Sequence, residues 1–220
     1  KGEKEMNLLG IVVSYIYIFF IILSAKLIEK KGKEVTRKYI HIMLANWWLI
    51  AMFFFDQVWY ACFVPATFVI INYISYKKNL ISIMERSEEE KDGLGTVYYA
   101  LSLLILAAVI WGLNLSPIIG LAGVFTMGYE DGFAAVVGKK VKSKEYHIGK
   151  GKKTLAGSLT MFGISCVIFG ILFFLLGTPI WYGKAILLAA IMTVIEAVSI
   201  KGTDNLTVPL IASCIFGLMI

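Results

Sequence analysis

Apolar residues along this chain form long, nearly uninterrupted runs. Eight of the runs approach the roughly 17–25 residues that a membrane-spanning helix needs. They lie at about residues 7–25, 39–55, 58–76, 94–112, 117–137, 155–176, 180–199 and 206–220. The pattern predicts an all-α fold, a polytopic membrane bundle of about eight transmembrane helices, although the last run is short enough to be partly re-entrant. We expect residues 1–220 to form a single integral-membrane domain.

The composition agrees with a membrane protein. The chain is 59% hydrophobic and 16% charged, with a mean hydropathy of +0.79. Soluble domains are about 45–50% apolar and about 25% charged. The three cysteines (Cys62, Cys166 and Cys214) lie within apolar runs without metal-ligand spacing. We therefore interpret them as small hydrophobic residues.

Basic residues are concentrated on one side of the predicted membrane. Eighteen of the 21 Lys and Arg residues follow the first, third, fifth or seventh run, and seven of them lie between residues 139 and 153. Because basic loops stay in the cytoplasm, this predicts a multi-pass protein with both termini outside. The net charge of +6 then reflects topology rather than binding to nucleic acid. Attraction to anionic lipid is an alternative explanation for the lysines between residues 26 and 33.

Acidic residues fall at the cytoplasmic ends of several predicted helices. Glu130 and Asp131 lie near the end of the fifth run, Glu196 near the end of the seventh, and Asp204 and Asn205 at the start of the eighth. Acids within membrane helices are costly and usually mark function. Four acids at one depth, opposite a lysine-rich loop, indicate a multiply charged anion held through a divalent cation.

Each polar residue also has a simpler interpretation. His41, at the start of the second run, can be an interfacial residue, and Glu130 can be a helix-end carboxylate that reaches water. Asp131 can form a salt bridge with a lysine, but its own run places no basic residue one turn away. Glu196 has no opposite charge nearby in the sequence, so it needs a partner from another element, and a metal ion would serve.

The loop before the sixth run has some features of a phosphate-binding site. A Walker motif is excluded, because Lys153 follows Gly151-Lys152 and Tyr146 occupies the position of the first glycine. A glycine-rich basic loop that leads into a helix N-terminus can still bind phosphate. We expect hydroxyl groups and free backbone N–H groups at the start of this helix, from Thr154, Gly157 and Ser158.

Several motifs resemble the polyprenol kinase family, which includes dolichol kinase, phytol kinase and the CTP-dependent diacylglycerol kinases. They are RKYIH (37–41), GTVYYAL (95–101), EDGFAAVVGKK (130–140), KKTLAGSLTMF (152–162), Glu196 and TDNLTVPL (203–210). Together they cover most of the chain in the expected order. The resemblance implies a membrane enzyme that phosphorylates a lipid alcohol with CTP and a divalent cation such as Mg²⁺. Family members often have Gly-Asp at Glu130-Asp131, so Glu130 is either an extra ligand or a neighbour.

The resemblance and the placement of the polar residues lead to specific roles. Catalytic roles are expected for Asp131, Glu196 and His41, with the general base left open among them. The expected metal ligands are Asp131, Glu130, Glu196, Asp204 and Asn205. The expected nucleotide-binding residues are Lys139, Lys152, Lys153, Thr154, Gly157, Ser158, Arg37 and Lys38. The expected partners are CTP, a membrane lipid alcohol and the bilayer, the site is expected to face the cytoplasm, and a homodimer is left open.

Two other functions are alternatives to a lipid-alcohol kinase. A phosphatidate-type cytidylyltransferase would use the same nucleotide and release pyrophosphate, but its terminal His-Gly-Gly and Asp-Arg-x-x-Asp signature does not occur here. A small membrane transporter is the second alternative. Transporters tend to show internal repeats and binding sites near the bilayer midplane, whereas here the acids cluster towards one face. The acceptor is left open among a polyprenol, a phytol- or geranylgeraniol-type isoprenoid alcohol and diacylglycerol.

Overall fold

The structure, a computed structural model, describes residues 2–78, 94–148, 151–199 and 202–220. Nearly all of them are helical, which confirms the predicted all-α bundle. The helices are α1 (Gly2–Ile28), α2 (Lys33–Ala45), α3 (Trp47–Phe54), α4 (Val58–Lys78), α5 (Gly95–Gly112), α6 (Pro117–Phe125), α7 (Asp131–Lys140), α8 (Leu155–Leu175), α9 (Trp181–Val198) and α10 (Asp204–Met219). A 3₁₀ turn (Glu29–Lys31), a π-helical segment (Thr126–Glu130) and two short strands, β1 (Glu145–Ile148) and β2 (Gly151–Thr154), complete the described elements.

Helices occupy all eight predicted runs, but not all are continuous. Five helices among the described residues are long and apolar enough to cross a membrane: α1 with its 3₁₀ turn, α4, α5, α8 and α9. The second run is divided at Asn46, the fifth run contains the π-helical segment, and the eighth forms a helix of 16 residues. The structure therefore supports a helical membrane protein, while the count of eight spans and the orientation of the termini stay predictions.

The break in the second run is fixed by two buried tryptophans. The Trp47 indole N–H donates to Ser14 Oγ at 2.9 Å, and the Trp48 indole N–H donates to the Pro117 carbonyl oxygen at 2.9 Å. Both rings are almost fully buried. Because each buried N–H has a partner, the large rings can fill the core without leaving a polar group unsatisfied. They hold α3 against α1 and α6.

The π-helical segment lies directly against α2. A Cβ atom on Gly128 would overlap the side chain of Ala45, and one on Gly132 would overlap Ile42. Only glycine permits so close an approach. A π turn holds one more residue than an α turn and is frequent at functional sites. Here it brings Glu130 and Asp131 next to the polar residues of α2.

The two strands form an antiparallel hairpin that the sequence did not predict. Glu145 lies opposite Thr154, and Ile148 lies opposite Gly151. The connecting residues 149 and 150 lie outside the described part of the chain. The hairpin leads directly into α8, which packs against α7 and α9. It therefore places the lysine-rich loop beside the ends of those helices.

The start of α10 is joined to the start of α5. Asn205 Nδ2 donates to the carbonyl oxygen of Gly95 at 3.0 Å. The body of α10 packs against α5, α6 and α9. Because these helices meet at one end of the bundle, the polar ends that the sequence placed at one face do converge.

The close packing of α6 on α10 gives a testable prediction. A Cβ on Gly123 would overlap the backbone carbonyl oxygen of Pro209, which cannot rotate away. Gly123→Ala should therefore destabilise the protein by about 1–3 kcal/mol and lower its Tm in detergent.

Gly163→Ala on α8 is the matched control, since a Cβ there has no heavy atom within 4 Å. That change should leave the Tm unchanged or raise it, because alanine favours a helix over glycine by about 1 kcal/mol. Equal effects of the two substitutions would contradict the close approach of α6 and α10.

Candidate active site

The predicted metal ligands surround one small cavity. The cavity contains about 210 Å³ of empty space and is lined by polar residues from the π-helical segment, α7, α9 and α10. These residues are Glu130, Asp131, Glu196, Asp204 and Asn205, together with Thr126. The structure thus brings together all five residues that the sequence proposed for one site.

Asp131 forms an ion pair with a lysine from α2. Lys38 Nζ lies 2.5 Å from Asp131 Oδ1, and the lysine side chain is only 4% exposed. His41 Nε2 lies 3.4 Å from Asp131 Oδ2, but the two groups are not aligned for a hydrogen bond. The sequence placed no basic residue one turn from Asp131 on its own run and left a salt bridge to a lysine as an alternative, and the structure provides that lysine from another helix. The close approach of α2, allowed by Gly128 and Gly132, supplies the lysine.

Glu196 also pairs with a lysine. Lys153, in strand β2, contacts the carboxylate of Glu196, and its Nζ lies 3.4 Å from the Glu196 carbonyl oxygen. The partner that Glu196 required from another element is therefore the hairpin. This ion pair holds the hairpin against the end of α9.

Glu130 and Asn205 differ from these pairs because parts of them have no partner. Glu130 is 1% exposed, and neither of its carboxylate oxygens has a hydrogen-bond partner among the described residues. The same is true of Asn205 Oδ1. Buried polar oxygens are costly to leave unpaired. These three oxygens therefore mark the part of the cavity that best fits a cation or water.

The protein side chains alone do not form a closed metal site. Within the described ranges, no three His, Cys, Asp or Glu side chains are arranged to hold a metal ion together. The two ion pairs contribute to this, since one oxygen of Asp131 and one of Glu196 are directed at lysines.

Arg37 and His41 lie beside a second pocket that adjoins this cavity. Arg37 forms a two-point interaction with Glu34, with distances of 2.8 and 3.0 Å. The Tyr99 hydroxyl donates to the His41 carbonyl oxygen at 3.0 Å, and the two rings meet edge to face at 4.4 Å. The pocket holds about 440 Å³ of empty space. Arg37 and His41 are therefore placed beside the acids, as the sequence predicted.

Asn72 is a residue of this pocket that the sequence analysis missed. Its Nδ2 donates to the carbonyl oxygen of Thr96 at 3.0 Å and so links α4 to α5. Asn72 and Thr96 both line the pocket. An amide within the mostly apolar run of residues 58–76 was the available signal.

The start of α8 differs from the prediction. Its first three N–H groups are not free, because the preceding loop caps them. Leu155, Ala156 and Gly157 donate, respectively, to the Lys144 carbonyl oxygen, Ser143 Oγ and Thr154 Oγ1, at 3.0, 3.1 and 3.1 Å. The expectation of free N–H groups was therefore wrong: one backbone carbonyl oxygen and two hydroxyl oxygens of the preceding residues accept their hydrogen bonds.

The remaining nucleotide-binding candidates have varied positions. Ser158 Oγ lies 2.5 Å from the hydroxyl of Tyr146, so that hydroxyl also has a protein partner. Lys153 lies near the acids, as described above. The side chains of Lys139 and Lys152 lie outside the described part of the structure. Their nucleotide contacts stay predictions.

Comparison with known proteins identifies several similar chains. A phytol kinase of Synechocystis is 31% identical over 199 residues, which cover 88% of this chain and 84% of the relative. A probable chloroplastic phytol kinase 2 of Glycine max is 29% identical over 90% of this chain and 68% of its own length. A probable chloroplastic phytol kinase of Zea mays is 28% identical over 90% and 69%, respectively.

No protein-family model and no solved structure matches the chain. The Synechocystis relative nevertheless matches across most of both sequences. The identity and coverage agree with the motifs that converge on the cavity. The chain therefore belongs to the polyprenol kinase family.

Proposed function

We propose that this protein transfers the terminal phosphoryl group of a nucleoside triphosphate to the hydroxyl of an isoprenoid alcohol such as phytol. CTP is the proposed donor, on the family resemblance, and the reaction is proposed to occur at the cytoplasmic face. One observation carries the proposal: two lysine–carboxylate pairs and an unpartnered carboxylate surround one cavity in a chain that matches a phytol kinase over most of its length.

Oxygen ligands around the cavity fit a magnesium ion. Mg²⁺ prefers oxygen ligands and is usually held by one or two carboxylates together with substrate phosphates and water, so three protein carboxylates are not required. The unpartnered oxygens of Glu130 and Asn205 are of the right type. With Asp131, Glu196 and Asp204 they are the proposed ligands. A bound Mg²⁺ supplies positive charge next to the phosphate oxygens.

Lysines on two sides of the cavity are suited to bind the phosphates. Lys38 lies on α2 and Lys153 on the hairpin, and each contacts an acid that is a proposed metal ligand. Charge-assisted contacts from lysine to phosphate are among the stronger hydrogen bonds. Arg37 is close enough to the same region to contribute a further positive charge. Phosphoryl transfer depends mainly on such positioning and charge stabilisation.

The transfer also requires a group that accepts the hydroxyl proton. The alcohol oxygen bonds to the terminal phosphorus, the bond from that phosphorus to the bridging oxygen breaks, and the nucleoside diphosphate leaves. Asp131 and His41 are the proposed acceptors of the proton, because they lie next to each other, Asp131 lining the cavity and His41 lining the pocket that adjoins it. Glu196 stays a third candidate, although Lys153 contacts it here.

The proposed activity can be tested directly. Purified protein in detergent should convert phytol to phytyl monophosphate with labelled CTP and release CDP. Parallel reactions with ATP, with dolichol and with diacylglycerol define the donor and the acceptor class. Release of pyrophosphate, or the absence of a phosphorylated product with every alcohol, would contradict the proposal.

A prediction about Asp131 separates its chemical role from its structural role. Asp131→Asn should lower kcat by about a thousandfold or more if the carboxylate binds metal or accepts the proton. It should also destabilise the protein by about 3 kcal/mol, because it leaves the buried Lys38 ammonium without its partner.

The double variant Lys38→Met/Asp131→Asn provides the control for stability. Replacing both members of the pair should restore most of the lost Tm, since no buried charge is left unpaired. Activity should stay low in the double variant. Recovery of activity together with stability would show that Asp131 is purely structural.

A second prediction concerns Lys153. Lys153→Ala should weaken CTP binding at least about tenfold, the loss expected for one charge-assisted hydrogen bond of 1.5–3 kcal/mol. Lys142→Ala is the matched control, because Lys142 is an exposed lysine of the same loop. Isothermal titration with Mg²⁺–CTP measures both. Similar affinities of the two variants for Mg²⁺–CTP would contradict a role of Lys153 in nucleotide binding and leave the loop lysines only a role in membrane topology.

A further inference from the structure

An apolar groove extends from the pocket at His41 into the helical bundle. It runs between α1, α2, α3, α4 and α5 and contains about 550 Å³ of empty space, including its opening. Only Trp47, Asn72 and Tyr99 among its lining side chains carry a nitrogen or oxygen. The indole, amide and hydroxyl of these residues all donate to protein partners. The interior of the groove is therefore suited to a hydrocarbon.

One end of the groove joins the candidate active site. The groove and the pocket that contains Arg37 and His41 share Ile40, Leu44, Asn72 and Tyr99. His41 in turn lies 3.4 Å from Asp131. An alcohol whose chain occupied the groove would therefore present its hydroxyl to the residues proposed to accept its proton.

The groove opens at the lateral surface of the helical bundle, beside Ile22. Ile22 on α1 lines it and is 42% exposed, whereas the neighbouring Ile21 and the facing Trp47 are buried. Ile22 belongs to a helix that is apolar enough to cross the bilayer. A hydrocarbon chain could thus enter between helices without leaving the membrane.

The length of the groove limits how much of a chain it encloses. Its lining on α4 extends from Asn72 to Val64, which is about 12 Å of helix. That is less than half of the roughly 30 Å hydrocarbon thickness of a bilayer. Only the part of a long isoprenoid nearest the hydroxyl fits, and the rest extends through the side opening.

A second apolar groove provides a comparison. It lies between α6, the π-helical segment and α8, with about 800 Å³ of empty space, and is lined by Phe125, Tyr129, Gly163 and Val167 among others. It is larger, and like the first groove it has no charged lining residue, but it shares no lining residue with the His41 pocket. Size alone would favour this groove, whereas connection to the reacting groups favours the first.

We propose that the groove between α1 and α5 binds the isoprenoid chain of the acceptor alcohol and admits it from the bilayer past Ile22. The inference rests on the proposed function for the identity of the alcohol. Its geometry, a short apolar channel with a polar end and a lateral opening, fits a single branched hydrocarbon chain with a terminal hydroxyl.

Photochemical labelling tests the location of the chain. The probe is a phytol analogue with a diazirine close to its hydroxyl end, applied to the protein in lipid nanodiscs. We expect labelling of α1, α4 and α5 at groove residues such as Ile22, Phe68 and Leu103, and loss of labelling with excess phytol. Labelling confined to the groove at Gly163, or spread without competition over the lipid-facing surface, would overturn the proposal.

Substitutions that fill each groove provide the matched comparison. Ala100→Leu adds side-chain volume inside the proposed groove and should raise the KM for phytol by about tenfold or more, as expected for misfit methylenes in an apolar pocket. The kcat and the Kd for CTP should change little. Gly163→Leu, in the second groove, should change none of the three.

Ile22→Trp narrows the lateral opening at a position that is already exposed, so it tests the same groove if Ala100→Leu fails to fold. It should reduce photolabelling and raise the KM for phytol. Unchanged values in every folded groove variant would overturn the proposal. Labelling in the groove without any phosphorylated product would support the binding site and contradict the kinase activity. An active enzyme that is labelled elsewhere would support the kinase activity and contradict the binding site.

Discussion

Charged side chains enclosed by apolar helices need partners, because an unpaired buried charge costs several kcal/mol. The pair of Lys38 and Asp131 meets this requirement across two helices, with the lysine almost fully enclosed. Several otherwise separate features depend on that contact. The glycines at 128 and 132 let α2 and the π-helical segment approach closely enough to form it. The pair lies beside His41, which lines the pocket that shares residues with the apolar groove.

Much of the helical architecture could be predicted from the sequence, since apolar runs of sufficient length leave few alternatives to helices in a membrane. The internal breaks could not. Asn46 and the segment Thr126–Glu130 interrupt the helices of the second and fifth runs, although apolar residues continue on both sides of each break. The hairpin at residues 145–154 was also missed, because two strands of four residues in a lysine-rich loop carry almost no periodic signal.

The sequence predicted which residues gather at the site better than it predicted which lysine pairs with which acid. Topology places helix ends at a common face, so the convergence of Glu130, Asp131, Glu196 and Asn205 on one cavity could be anticipated. Which lysine meets which acid depends on packing between distant segments, and no sequence spacing specifies it. The capping of α8 by Ser143 and Thr154 is a local effect that competes with the predicted phosphate contacts.

Each of the two lysine–acid pairs at the proposed site is neutral overall before any substrate binds. In the proposed reaction each lysine exchanges its carboxylate partner for phosphate, and each carboxylate exchanges its lysine partner for the metal ion. Every one of these charges therefore keeps a partner of opposite sign. Such an exchange avoids leaving a bare charge within the membrane at any stage. The carboxylate of Glu130 is the exception, because neither of its oxygens has a hydrogen-bond partner among the described residues.

The π-helical segment has a consequence for how the acids are directed. One additional residue in a helix rotates everything beyond it by about 100° around the axis. Before the segment, Gly123 lies against α10, and after it, Gly132 lies against α2. Positions nine residues apart would already face opposite sides of a regular α-helix, and the π-helical segment changes that angle by about 100°. The π-helical segment therefore sets the direction in which the acids point around the helix axis, separately from the depth at which the helix lies in the membrane.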